Sequence, residues 1–139
     1  MTTVVNITRQ TVLTAQRDFK SDDFVSGTPK ALVYTKPGTR ILRGFVDITS
    51  AFQGTSTITL SIGDTSTATP DVDRWKTAFD IKSTGLTAIT APQTNSILDA
   101  AEAITATVTA GGTLTAGAGR LVLEFIEENR ATEFHPYRG

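Results

Sequence analysis

The segment ITATVTAGGTLTAGAGRLVLEFIEE, Ile104–Glu128, contains the glycines that decide between two kinds of fold. The spacing of Gly112, Gly117 and Gly119 resembles that of a glycine-rich phosphate-binding loop. A loop of the Walker type needs G-x-x-x-x-G-K-[ST] between a strand and a helix. In GTLTAGAGR the lysine position holds Ala118 and the following Ser/Thr position holds Gly119. Both side-chain functions are absent, so the segment does not predict a nucleotide site.

The residues after these glycines have the period of two that is typical of a β-strand. Leu121, Leu123 and Phe125 alternate with Val122, Glu124 and Ile126. We therefore interpret the glycines structurally. Gly111–Gly112 is predicted to supply the positive φ angles of a tight hairpin turn, and Gly117 and Gly119 to mark a second bend or bulge.

The same alternation recurs along the chain and predicts an all-β protein. In STITLSIGD, Ile58, Leu60 and Ile62 point to one face and the intervening Ser and Thr residues to the other. Further predicted strands are Val4–Ile7, Thr11–Ala15, Ala31–Thr35, Ile41–Ile48, Thr77–Ile81, Thr87–Ile89, Ile104–Ala110 and Leu121–Glu127. Turn signals separate them at the spacing of an antiparallel β-sandwich or barrel.

One core and at most one short helix are expected within this sandwich. Leu121, Leu123 and Phe125 should lie in the core and meet residues of other strands across the sandwich. Those residues are Phe45, Ile58, Leu60 and Ile62. The segment SILDAAEAI, Ser96–Ile104, is the best helical candidate, with Ser96 as N-cap and no more than about two turns. No linker divides the chain, so we predict a single domain over residues 1–139 in which residues 129–139 form an extended C-terminal arm.

Composition and charge narrow the classes of function. The chain has 139 residues with 13 basic and 14 acidic side chains, so its net charge is -1. This charge gives no general electrostatic attraction to nucleic acid or to an anionic membrane. There is no cysteine, and no apolar run approaches the ~18 residues of a membrane span. The start, MTTVVNITRQ, lacks the pattern of a signal peptide. We expect a soluble protein that is made in the cytoplasm.

Catalytic and metal-binding patterns are weak. His135 is the single histidine and lies in the polar tail, and no G-x-S-x-G elbow is present, so we predict no enzyme and no cofactor. Asp64, Asp71 and Asp73 fall in one predicted loop and could gather around calcium, although aspartates at turns more often bond the local backbone. Trp75 beside this loop could stack on a carbohydrate or could cover the core, and the second interpretation is favoured.

Two features favour binding or assembly. The tail ENRATEFHPYRG contains Phe134 and Tyr137, which could anchor an extended arm on a neighbouring molecule, although such tails also fray without a partner. The Thr-rich outer faces of the sheets are uncharged and flat. They are either ordinary solvated sheet or docking surfaces.

Three stretches together give the sequence a family resemblance. RILRGFVDITSAFQGTSTITLSIGD, WKTAFDIKSTG and the opening segment resemble small β-rich structural proteins of tailed bacteriophages, particularly the decoration or cement proteins of the head. The resemblance covers about Thr39–Glu128. It implies a jelly-roll sandwich on the virion surface that cements neighbouring major capsid subunits without a cofactor. It also implies a homo-oligomer, with a dimer favoured over a trimer.

The residues expected to contact the capsid or another partner lie in the arm and at the loop before Trp75. They are Arg74, Trp75, Arg130, Phe134, Tyr137 and Arg138. Two other functions stay open at this point, a phage tail-associated structural protein and a carbohydrate-binding module.

Overall fold

Alternating apolar and polar residues form strands along most of the chain. The computed structural model describes residues 12–54, 56–65, 71–89, 97–98 and 102–127. Its strands are β1 (Leu13–Lys20), β2 (Lys30–Thr35), β3 (Thr39–Gly54), β4 (Ile58–Asp64), β5 (Asp71–Asp80), β6 (Gly85–Ile89), β7 (Ile97–Leu98), β8 (Glu102–Ala110) and β9 (Leu114–Glu127). A 3₁₀ turn, Ser21–Asp23, follows β1, and no α-helix occurs in the described ranges. The all-β prediction is confirmed.

The strand pairs are nested, as in one long antiparallel hairpin that folds back on itself. β4 pairs with β5 at its tip, β3 with β6, β2 with β8, and β1 with β9, and every pair is antiparallel. The additional pairs β3–β9 and β4–β8 join these ladders into two sheets. Sheet A has the order β1-β9-β3-β6 with β7 beside β3, and sheet B has the order β2-β8-β4-β5. This arrangement is a jelly roll, as the resemblance implied.

The core lies between the inner faces of the two sheets. Leu121 and Leu123 of sheet A are buried to 1% exposure or less, and Ile58, Leu60 and Ile62 of sheet B are fully buried. Phe125 is partly buried against the same cluster. The predicted inner faces of β4 and β9 are therefore confirmed. Along β9 the core-facing residues alternate with half-buried ones because one face of the strand meets the other sheet, whereas in β4 the intervening Ser61 and Gly63 are buried as well.

Phe45 was expected in the core, and this prediction is wrong. Its side chain is 38% exposed, whereas Val46 and Ile48 on either side of Asp47 are buried. The register between β3 and β9 shifts between Ile41 and Arg43, so β3 has one extra residue there. A bulge of this kind transfers all later side chains to the opposite face. Phe45 therefore faces outward, although Ile41 earlier in the strand faces the core.

The second bend predicted at Gly117 and Gly119 is confirmed. Opposite these two glycines β3 contains further register shifts, between Ile48 and Ser50 and between Ser50 and Gln53. Gly117 has a φ of 141°, and a Cβ atom there would lie only 2.4 Å from Cγ of Phe52. The glycine thus gives the backbone a conformation that other residues rarely adopt and leaves room for the buried ring.

The prediction of a tight hairpin turn with positive φ angles at Gly111–Gly112 is wrong. Both glycines do lie between two strands, but β8 belongs to sheet B and β9 to sheet A, so the connection passes from one sheet to the other. Neither glycine has a positive φ. A connection between facing sheets does not need the mirror-image turn that joins two neighbouring strands.

The predicted helix at Ser96–Ile104 is also wrong where the structure describes it. Ile97–Leu98 is strand β7, paired with Thr39–Arg40, and Glu102–Ile104 opens β8. Pairing with neighbouring strands decides the structure of these described residues, because intrinsic helix propensity is a weak preference that tertiary context overrides. The predicted strand Val4–Ile7 lies outside the described residues. The single domain and the arm at residues 129–139 stay predictions.

Candidate interaction surface

The outer face of sheet A, which we call the A face, carries a row of side chains across four strands. The register places Gln16 of β1, Val122 of β9, Phe45 of β3 and Ala88 of β6 side by side. Leu86 lies one row further along and is 71% exposed. Phe45 and Leu86 are therefore large apolar side chains that the isolated chain leaves in contact with water.

Ion pairs flank this apolar row on both sides. On one side Arg43 Nε donates to Glu124 Oε2 across β3 and β9. On the other side Arg120 Nε donates to Asp18 Oδ1 at 2.7 Å, and Asp47 lies opposite Arg120 in the register. The hydrogen bonds to Glu124 and Asp18 raise the pKa values of Arg43 and Arg120. Exposed pairs of this type add little stability, and here they place opposite charges along both sides of the apolar row.

A shallow depression of about 280 Å³ lies between the apolar row and one of these pairs. It is lined by Arg43, Gly44, Phe45, Val122 and Glu124. Gly44 permits the close approach of β3 and β9 beside this depression, because a Cβ atom there would lie 2.5 Å from the carbonyl oxygen of Val122 and 2.8 Å from Cδ2 of the core residue Leu123. An apolar ring, a guanidinium and a carboxylate therefore border one small concave site. This is the mixture of groups that protein interfaces use.

Trp75 lies in the core. Its side chain is 2% exposed, and Nε1 donates to Asp64 Oδ2 at 2.9 Å. This burial agrees with the interpretation that the ring covers the core and leaves no exposed platform for stacking on a sugar. The adjacent Arg74 donates from Nε to the same oxygen at 2.7 Å. Both predicted site residues of this region therefore belong to one buried cluster with Asp64.

An irregularity in β5 produces this cluster. Between the pairs Ile62–Lys76 and Asp64–Asp71, β4 has the single residue Gly63 where β5 has the segment Val72–Trp75. Consecutive strand residues normally point to opposite faces. The wide bulge lets Arg74 and Trp75 reach one carboxylate. Gly63 permits the close approach, because a Cβ atom there would lie 2.0 Å from the carbonyl oxygen of Asp71.

The three aspartates considered for calcium do not converge. Asp64 is buried and paired with Arg74, whereas Asp71 and Asp73, expected in a loop, lie in β5 at its exposed start. The hydrogen bond with Asp73 lowers the pKa of Asp71, and the same bond raises the pKa of Asp73. No group of three or more His, Asp or Glu side chains within the described ranges could hold a metal ion. The part of the chain that the structure describes has no helix long and apolar enough to cross a bilayer.

The predicted arm contacts, Arg130, Phe134, Tyr137 and Arg138, lie outside the described residues, as does His135. The sequence reasoning missed the A face, because Phe45 was assigned to the core. One signal for it was present. Val46 and Ile48 match the inward period better than Phe45 does once a bulge is allowed after Ile41, and the neighbouring Gly44 is a common sign of irregularity in a strand.

Sheet order and nested antiparallel pairing define this chain as a jelly-roll β-sandwich, a fold that it shares with chains of solved phage capsid structures. It is similar to a chain in the capsid asymmetric unit of cyanophage Pam1, with 14% identity, a TM-score of 0.67 and coverage of 84% of this chain and 85% of that one. A chain in the capsid of Ralstonia phage GP4 has 17% identity, a TM-score of 0.65 and 84% coverage of both chains.

A third similar chain belongs to the acid-stable capsid structure of Helicobacter pylori bacteriophage KHP30. It has 16% identity and a TM-score of 0.62, and the match covers 83% of this chain and 86% of that one. No protein-family model and no curated protein matches the sequence. At such low identity the likeness establishes a shared fold.

Proposed function

We propose that the protein is a structural component of a tailed-bacteriophage virion that binds the outside of the capsid and cements neighbouring major capsid subunits. The observation that carries this proposal is the shared jelly roll, with TM-scores of 0.62 to 0.67 to chains from three phage capsid structures. Each match covers more than four fifths of both chains. The likeness therefore involves the whole sandwich rather than one hairpin.

The mechanism of such a protein is physical. A clip that spans two subunits adds buried area without changing either fold, and many copies on a closed shell stabilise it by mass action and multivalency. The net charge of -1 gives little general attraction to a charged partner. Recognition then rests on shape, hydrogen bonds and a few aromatic or arginine anchors.

The A face supports the proposal as the surface that contacts the capsid. It presents Phe45 and Leu86 beside the exposed Arg43 guanidinium, and aromatic and arginine side chains are enriched among interface residues that dominate binding. Phe45 and Leu86 lie in neighbouring rows of the A face, and exposed apolar side chains that adjoin one another mark interaction sites more often than scattered ones do. The capsid partner would pack on the apolar row and meet the ion pairs at its edge.

Of the residues that the sequence nominated as partner contacts, those of the arm fit this mechanism best. Arg130, Phe134, Tyr137 and Arg138 stay predicted contacts. Arg74 and Trp75 are held by Asp64 inside the sandwich, and a contact there would require that cluster to open. We therefore assign partner binding to the A face and the arm.

Capsids assembled from the major capsid protein alone provide the test. Added protein should bind at saturable stoichiometry and raise the temperature at which the shells come apart. Phe45→Glu should weaken binding by at least about tenfold, because it places a charge in the apolar row. Val25→Glu is the matched control, since Val25 is 71% exposed in the segment between β1 and β2.

The alternatives predict other outcomes. Saturable binding to isolated tails and none to heads would favour the tail-associated function. Binding to a glycan array in place of either would favour the carbohydrate module, although the buried Trp75 ring offers that module no platform. Binding to capsids without any gain in their thermal stability would refute cementing.

A further inference from the structure

A second concave site lies at the open side of the sandwich, and we call it the side groove. Its volume is about 110 Å³, and its apolar lining comes from both sheets, through Val33 of β2, Ile41 of β3 and Leu123 and Phe125 of β9. Tyr34, Lys36 and Glu127 border it. We propose that the side groove receives Phe134 from the C-terminal arm of a second copy of this chain.

The size and lining of the groove fit one aromatic ring. An aliphatic cavity of about 150 Å³ is known to accept benzene and to stay dry otherwise. The two threonines of the lining, Thr35 and Thr39, donate their hydroxyl protons to the carbonyl oxygens of Glu102 and Lys36. A buried tyrosine hydroxyl needs a hydrogen-bond partner, so the apolar ring of Phe134 fits this lining better than that of Tyr137 does.

The end of β9 lies at the border of the groove. Glu127 is both the last residue of β9 and part of the groove border, and the sequence continues to Gly139. Fully extended, the residues from Glu127 to Phe134 span about 25 Å at 3.3–3.6 Å each. The intervening segment ENRATE contains neither glycine nor proline. It therefore lacks the strongest signals for the sharp reversal that a return to the groove of the same chain would need.

The borders of the groove can also bind an extended chain. Within the residues that the structure describes, β2 is an edge strand of sheet B and pairs with β8 on one side. Edge strands present free backbone N–H and C=O groups to an added strand. Lys36 borders the groove, and Glu133 directly precedes Phe134, so an ion pair can form beside the inserted ring. Mutual exchange of two arms would give a symmetric dimer.

Complementation between two full-length variants tests the proposal, with molar mass measured by sedimentation. Ala15→Trp fills the groove, since Ala15 lines it on β1, and Phe134→Ala removes the ring. Each variant alone should dimerise at least about tenfold more weakly than the unaltered protein. An equimolar mixture should recover association, because the arm of the first variant fits the groove of the second. Ala78→Trp, at an exposed position of β5 on the other edge of sheet B, is the control and should leave dimerisation unchanged.

A second set of variants, in which the charges at positions 36 and 133 are reversed, tests the proposal without relying on the folding of Ala15→Trp. Lys36→Glu and Glu133→Lys should each weaken dimerisation, and the double variant should restore it. The proposal is overturned by an unaltered protein that is monomeric at every concentration, by dimers that neither single change weakens, or by the absence of complementation. A variant that unfolds at a lower temperature but keeps the molar mass of the unaltered protein would indicate that the groove holds a segment of the same chain. That result would also refute the exchange of arms between two copies. Capsid binding through the A face is tested separately, with Phe45→Glu and its control Val25→Glu, and those two changes leave the groove and the arm unaltered.

Discussion

The indole nitrogen of Trp75 and the guanidinium of Arg74 donate to the same oxygen of Asp64, at 2.9 Å and 2.7 Å. The Asp64 side chain is 1% exposed and the Arg74 side chain 12%. A buried carboxylate is costly unless it is paired and hydrogen-bonded, and two neighbouring residues of β5 meet both conditions here. This cluster ties the wide bulge of β5 to the end of β4.

Asp64→Ala should therefore destabilise the protein strongly. Removal of one partner of a buried ion pair typically costs about 3–5 kcal/mol, because the other charge stays buried. Asp18→Ala is the matched control, since it removes the same residue type from an exposed pair with Arg120 and should cost no more than about 1 kcal/mol. Urea unfolding of both variants measures the difference. Equal free-energy losses would show that the Asp64 cluster is not the buried pair described above.

Gly117→Ala should cost more stability than Gly85→Ala. The two glycines have similar φ angles, 141° and 148°, but an added Cβ meets the Phe52 ring at Gly117 and nothing within 4 Å at Gly85. The backbone strain, about 1–3 kcal/mol, is common to both substitutions, and overpacking against Phe52 adds about as much again at Gly117. Thermal unfolding of the pair isolates the contact. A larger loss for Gly85→Ala would contradict the packing of Phe52 over the bulge.

Leu123→Ala tests the choice of core face. Leu123 is 1% exposed, so the change should cost about 2–5 kcal/mol through lost burial and the cavity left behind. Val122→Ala, one residue away on the A face, should cost clearly less. Chemical denaturation gives both values. A loss below about 0.5 kcal/mol for Leu123→Ala, the range of surface substitutions, would mean that β9 has the opposite orientation.

The carboxyl groups of Asp71 and Asp73 should titrate at different pH values. Their hydrogen bond lowers the pKa of Asp71 and raises that of Asp73, because at intermediate pH one carboxyl donates its proton to the other carboxylate. Carboxyl carbon shifts in NMR should show two separated steps. In Asp71→Asn the midpoint for Asp73 should move back toward the usual aspartate value. Two coincident titrations in the unaltered protein would refute the contact between the side chains.

The period-two pattern predicted the sandwich, most of the core and eight of the nine strands in the described ranges, but not β7. Ile58, Leu60 and Ile62 are buried as expected because β4 is regular over that stretch. Phe45 was misassigned because the alternation was followed through a bulge, and a bulge inverts the faces without altering composition. The helix at Ser96–Ile104 failed for another reason. Alanine-rich local preference is weak, and pairing of β7 with β3 outweighs it.

The candidate interaction surface was harder to predict from the sequence than the fold was. Arg43 and Glu124 are far apart in the chain and become neighbours through the β3–β9 register, which no local pattern encodes. Likewise, nothing in GDTSTATPDVDRW indicates that the bulge in β5 would direct Trp75 inward and pair Arg74 with Asp64. Long-range register and bulges decide both cases, and they depend on the packed sheets as a whole.

The central claim is that this chain is a structural component of a phage head. Its most direct test is quantitative mass spectrometry of purified phage particles after heads and tails have been separated. We predict that the protein is found in the head fraction at a fixed ratio to the major capsid protein, and that it is accessible to surface labelling. Absence from intact particles, or recovery with the tails alone, would contradict the account.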